Sequence, residues 1–207
     1  MKKQYGLILT LLGAFAAISA HADSASYSFT VNTSSLATNY GYIDLELNQG
    51  TLLSPPITAT ITGFATDGTL NPADLTITPA GDFSGTLPGT LTITADTNPD
   101  YFEGITFGNR IIFDLTLAGP GVSRSGNAGG TSGTLFQLSF FDSTGSNPVL
   151  TTDPSGINSE VSVDATGVPT ALSLDPSTKI IPEPSTFVLA VAPLFALVAL
   201  ARRGARA

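Results

Sequence analysis

A two-residue rhythm dominates this sequence and narrows its folding options to sheets. Ile43-Asp44-Leu45-Glu46-Leu47-Asn48 alternates apolar and polar side chains without a break, and a period of two belongs to strands. Comparable short runs recur from Ser26 to about Leu174, each ended by Gly, Pro, Asn or Asp, and helical spacing is nearly absent. About a dozen strands are expected, among them Gly41 to Asn48, Asp74 to Thr78, Asp82 to Leu87, Tyr101 to Phe107, Pro148 to Thr152 and Thr170 to Leu174. The alternation leaves one face solvated, as antiparallel sheets allow. Thr134 to Asp142 differs, with Phe136, Leu138 and Phe140 on one side and Leu135 and Phe141 on the other. It is expected at the centre, covered on both faces. The fold class is therefore all-β: a single antiparallel β-sandwich, jelly-roll-like, over residues 23–174. Thr33 to Ala37 is expected to add one helical turn, with Thr33 or Ser34 as N-cap.

Composition removes several chemistries. The chain has 207 residues with no cysteine and no tryptophan, and its single histidine, His21, lies near the N-terminus. Disulfides, thiolate nucleophiles, Cys/His zinc sites and histidine triads are thereby excluded from the sandwich. Formal net charge is -8, and between Asp23 and Ile181 fifteen acidic side chains face only Arg110, Arg124 and Lys179. Such a surface repels phosphate backbones, so nucleic acid is not an expected partner. Gly119 to Gly133, with six glycines, reads as a mobile loop; it has no phosphate-loop lysine and no helix after it.

The two ends read as addresses. Residues 1–22 run from Lys2 and Lys3 through an apolar stretch, Gly6 to Ile18, to small residues at Ala20 and Ala22. This is a signal-peptide pattern, with signal peptidase expected to cut before Asp23. At the other end, residues 175–181 read as a linker. Pro182-Glu183-Pro184 comes next, then an uncharged run from Phe187 to Ala201, then Arg202, Arg203 and Arg206. The prolines keep the tripeptide extended. The run makes a helix of about 22 Å against a hydrocarbon core of roughly 30 Å, a short transmembrane helix over about 186–201. The basic tail, residues 202–207, acts as a membrane stop that stays cytoplasmic and leaves the rest of the chain outside.

In this order the three parts of residues 182–207 resemble a PEP-CTERM sorting signal. The resemblance implies recognition by exosortase, a membrane enzyme of Gram-negative bacteria that removes the tail. Pro182, Glu183 and Pro184 are then substrate residues, and membrane anchoring is transient. Tyr27-Ser28-Phe29-Thr30-Val31, Gly41-Tyr42-Ile43-Asp44, Asp100-Tyr101-Phe102-Glu103-Gly104 and Asp153-Pro154-Ser155-Gly156, among other segments, resemble a family of small single-domain PEP-CTERM proteins of unassigned function. Together the two resemblances imply an exported protein of the cell envelope or extracellular matrix; with cysteine and histidine chemistry excluded, the role expected of it is non-enzymatic, structural or adhesive.

Other chemistries have weaker residue signals. A glycan-binding module, with matrix polysaccharide as partner, would need Tyr40, Tyr42 or Tyr101 as its aromatic platform. A glycosidase would need paired carboxylates, and Asp44 with Glu46 share a strand face. No other cofactor is expected, but Asp96, Asn98, Asp100 and Glu103 place oxygen donors as a loose calcium loop requires. An EF-hand is rejected, since Tyr101 stands where its glycine belongs. Threonine pairs such as Thr58/Thr60 and Thr92/Thr94 suit an ice-binding ladder but are explained more simply by β-propensity.

Overall fold

Alternation puts one row of each strand's side chains inward, and two such sheets bury their rows against each other. A computed structural model describes residues 24–50, 55–95, 98–123 and 133–183. Its strands are β1 (Ser24–Asn32), β2 (Tyr40–Asn48), β3 (Thr58–Thr66), β4 (Thr69–Thr78), β5 (Phe83–Ser84), β6 (Leu91–Thr94), β7 (Asp100–Thr106), β8 (Arg110–Ala118), β9 (Thr134–Phe141), β10 (Ile157–Val163), β11 (Pro169–Ser173) and β12 (Thr178–Pro182). They form two six-stranded antiparallel sheets packed as a sandwich. The first runs β12-β1-β8-β3-β6-β5 and the second β11-β10-β9-β2-β7-β4. The chain passes from one sheet to the other at most of its connections.

The core obeys the two-residue period. Tyr27, Phe29 and Val31 of β1 and Ile111, Phe113, Leu115 and Leu117 of β8 point inward in the first sheet, opposite Ile43, Leu45, Leu47, Phe136, Leu138 and Phe140 of the second. Phe29 ties the layers together: its ring stacks on Phe113 at 4.6 Å and meets the edge of Phe136 at 6.2 Å. On the first sheet's outer face Thr60 pairs in register with Thr92 and Thr116, so the threonines do line up across strands.

Several sequence expectations are corrected. Residues 175–181 are not a linker, because β12 pairs with β1 from Val31↔Thr178 to Tyr27↔Pro182, and the sandwich continues to Glu183. Its signal was the run Thr178-Lys179-Ile180-Ile181, obscured by the flanking prolines. Pro148 to Thr152 forms no strand and contributes one bridge, Phe141↔Pro148. Asp82 to Leu87 shrinks to β5. β9 is central, but its outer row is only partly covered: Ser139 is buried, whereas Leu135 and Phe141 are half-buried. Ser34–Leu36 makes a 3-10 turn with Thr33 as its N-cap residue, as expected, but the Thr33 side chain makes no capping bond, and the Ser34 N–H goes to Asn32 Oδ1 at 3.1 Å. Thr33 instead donates its hydroxyl to the Gly108 carbonyl.

Among the described residues no helix is long and apolar enough to cross a membrane. Residues 1–23, with Ala20 and Ala22, residues 124–132, and residues 184–207, with Pro184, the apolar run and Arg202, Arg203 and Arg206, lie outside the described residues.

Candidate functional site

Polar chemistry concentrates on the outer face of the second sheet. Even-numbered residues of β2 and β7 point outward, so Tyr40, Tyr42, Asp44 and Glu46 lie beside Asp100, Phe102 and Gly104. Register sets their neighbours. Glu46 pairs with Asp100 on one side and Gln137 on the other; Asp44 pairs with Phe102 and Ser139; Tyr42 pairs with Gly104 and Phe141.

One half of this face is aromatic. Tyr42 stacks on Phe102 at 4.6 Å, Phe102 meets Phe141 at 5.6 Å, and Tyr40 stands edge-on to Tyr42 at 5.6 Å. Tyr40 donates its hydroxyl to Asp74, and Asn71 Nδ2 donates to Asp74 Oδ2 at 2.9 Å and to the Tyr40 hydroxyl at 3.2 Å. Desolvation and the Asp74 carboxylate push the Tyr40 phenol up to about 12. Pro72 interrupts the β4 ladder, and the register shifts between Asn71 and Leu75, the irregularity expected of a proline within a strand. Gly104 leaves room for the arrangement, since a Cβ there would stand 2.2 Å from the Tyr40 hydroxyl.

A cavity of about 360 Å³ opens beside these rings, lined by Tyr42, Asp74, Leu75, Thr76, Phe102, Thr144 and Gly145. The turn supplying Thr144 and Gly145 is held by Asp142, which accepts bonds from the Thr144 hydroxyl at 2.6 Å and Asn147 Nδ2 at 2.8 Å. Those bonds hold the Asp142 carboxyl down to about 2.

The other half is acidic. Asp44, Glu46 and Asp100 each place a carboxylate oxygen within 4.8 Å of the others. Asp44 is only 8% exposed, so the expectation of a freely solvated strand face fails at this residue. Burial, with Asp100 and Glu46 adding to it, pushes the Asp44 carboxyl up to about 9. Glu46 is raised in the same direction, by burial first and Asp100 second.

The structure does not assemble the calcium loop expected from Asp96, Asn98, Asp100 and Glu103. Asp100 and Glu103 are three apart on one strand and fall on opposite faces. Glu103 points into the core, 1% exposed, and accepts the Tyr101 hydroxyl at 2.7 Å. Asn98 Oδ1 accepts the Gln49 N–H, and Asp96 lies outside the described residues. Tyr101 is likewise no surface platform: it is fully buried and accepts the Leu87 N–H at 3.1 Å. Burial raises both groups, and at Glu103 the Tyr101 hydrogen bond opposes the rise. Tyr40 and Tyr42 do reach the outer face. Asp44 and Glu46 share their face as expected, but Asp100 as third member was missed, because only strand pairing places it there.

No protein-family model matches this chain, and neither the curated proteins nor the solved structures contain a match.

Proposed function

We propose that this chain is an exported protein of the cell envelope or extracellular matrix, sent out by its leader, anchored transiently by its tail, and freed or transferred by exosortase. Its sandwich has a structural or adhesive role and performs no catalysis. The observation that carries the reading is the C-terminal order: Pro182-Glu183-Pro184, an uncharged run, then Arg202, Arg203 and Arg206, in a chain that opens with a positive, apolar, small-residue leader.

The fold adds support at the junction. Pro182 is extended, as its sequence context expects, and the Glu183 N–H donates to the Ser26 carbonyl at 2.8 Å. Ser28 Oγ donates to Glu183 Oε1 at 3.0 Å. Pro182 and Glu183 are therefore held on the sandwich edge itself, directly continuous with β12. The sheet-crossing connections favour the jelly-roll class.

Changing Pro182-Glu183-Pro184 to alanines tests the route: the variant is expected to keep its tail and remain in the inner membrane. Ser28→Ala, which removes the Glu183 side-chain bond but leaves the tripeptide intact, is expected to be processed normally. Normal processing of the alanine variant contradicts the reading.

A second reading, glycan binding, is favoured by the cavity beside Tyr42 and Phe102. Aromatic rings next to Asp74, Thr76 and Thr144 offer a sugar both an apolar surface and hydrogen-bond partners. Co-sedimentation with matrix exopolysaccharide, lost in Tyr42→Ala, is the expected result; equal retention of that variant removes the reading. A carboxylate-dependent glycosidase is less well supported, because both carboxyl groups must be open to the sugar and Asp44 is nearly buried.

A further inference from the structure

No basic side chain among the described residues neutralises the acids on the second sheet's outer face. Glu46 and Asp100 are direct cross-strand partners, and Asp44 lies two residues from Glu46 on the same side of β2. Like charges opposite each other on paired strands repel. The usual remedy is a basic neighbour, yet Arg110 and Lys179, the basic residues among those described, sit on β8 and β12 in the other sheet. The register neighbours on this face are Gln137, Ser139, Phe102 and Thr78, and the next acid along the row, Glu160 opposite Gln137, adds negative charge.

A second observation is separate from the clustering itself. Asp44 is more than nine-tenths buried, is directed at Asp100 and Glu46, and its Oδ1 has no hydrogen-bond partner. Asp100 Oδ1 is also buried and unpartnered. Buried polar atoms nearly always find a partner, and an exception calls for an explanation such as an ion.

We propose that Asp44, Glu46 and Asp100 bind one divalent cation, Ca²⁺ in preference to Mg²⁺, on the outer face of the second sheet. The donors are all oxygen, which selects a hard cation. Ca²⁺ accepts flexible, irregular coordination by carboxylates, whereas Mg²⁺ demands near-ideal octahedral geometry and gives up its waters reluctantly; three carboxylates with oxygens within 4.8 Å of one another, fixed by strand register, suit the more tolerant ion. Glu46 and Asp100 are only half-buried, which leaves positions for the waters that complete a coordination shell of about six to eight oxygens. This site shares only Asp100 with the loop read from the sequence. It is independent of the sorting reading, since a chain that never left the cytosol would bind the ion equally.

The test is calorimetric titration of the purified full-length chain with CaCl₂ and, separately, MgCl₂, with melting followed in parallel. One Ca²⁺ per chain is expected, with Mg²⁺ at least about tenfold weaker, and a melting temperature that rises with Ca²⁺ concentration. Glu46→Gln and Asp100→Asn are each expected to weaken Ca²⁺ about tenfold or more, while Glu160→Gln, on the same face outside the triad, binds as the natural chain does. Asp44→Asn guards against a trivial loss of folding: its metal-free melting temperature should be no lower than that of the natural chain, and its Ca²⁺ response should vanish. Absence of saturable heat or of a melting shift up to about 10 mM CaCl₂, well above the range of weak extracellular sites, overturns the proposal. So does an unchanged Ca²⁺ response in the Glu46, Asp100 or Asp44 variants.

Discussion

Replacing Asp44 with Asn should stabilise the metal-free protein at neutral pH, against the usual trend for a buried polar substitution. Asp44 ordinarily titrates near 3.8 and in the fold is pushed up to about 9 by burial and by Asp100 and Glu46. A carboxyl whose folded value is raised binds its proton more tightly in the native state than in the unfolded chain. Below the ordinary value both states hold the proton and nothing is lost. As pH climbs from there towards 9, the unfolded chain releases its proton while the native state keeps it, so stability declines across that window and levels off above it. At 1.36 kcal/mol per unit, the loss accumulated by pH 7 has an upper limit of about 4 kcal/mol. Asparagine is close to isosteric and carries no charge, so it recovers most of that loss. For a domain of this size about 1 kcal/mol moves the melting temperature by roughly 2–4 °C. The assay is thermal unfolding in EDTA from pH 4 to pH 9. The Asn variant is expected to melt several degrees higher at pH 7, to converge with the natural chain near pH 4, and to show a flatter decline between. An Asn variant that melts lower at pH 7, or whose pH profile parallels the natural chain's, contradicts this linkage.

The packing sets other outcomes. Phe29→Ala removes the ring that stacks on Phe113 and abuts Phe136 and should cost about 3–5 kcal/mol, read from urea denaturation with the slope unchanged. Tyr101→Phe deletes a hydroxyl that accepts from Leu87 and donates to Glu103, leaving two buried groups unpaired at about 1–3 kcal/mol each; binding to polysaccharide should be unaffected, which separates Tyr101 from Tyr42. Asn158, fully buried, links Leu150 O, Ser177 and Thr178, so Asn158→Ala should destabilise by about 2–4 kcal/mol and raise hydrogen exchange in β12 before β8.

Alternation made most of the fold legible. β8 and β10 begin and end where their apolar-polar patterns do, and the inward rows of β1 and β2 can be read directly from Tyr27 and Ile43 onward. What the pattern hid lies where a second force competes. β12 was obscured because Pro176, Pro182 and Pro184 made its residues look like a linker, whereas the edge of β1 takes them up. β4 starts five residues earlier than expected, with Pro72 inside it and the register shift that accompanies it. The site was half legible. Asp44 and Glu46 share a face by spacing alone. Their partnership with Asp100 depends on the β2–β7 register, which no local pattern encodes. The separation of Asp100 from Glu103, by contrast, could have been read from the strand period, had the segment been treated as strand throughout rather than as a metal-binding loop.

Export with loss of both ends is the proposal on which the protein's role depends. Its sharpest check is the intact mass of the mature protein, recovered separately from envelope and medium. A chain beginning at Asp23 and lacking Arg202, Arg203 and Arg206 is expected. Mature material that retains the leader or those arginines contradicts the proposal.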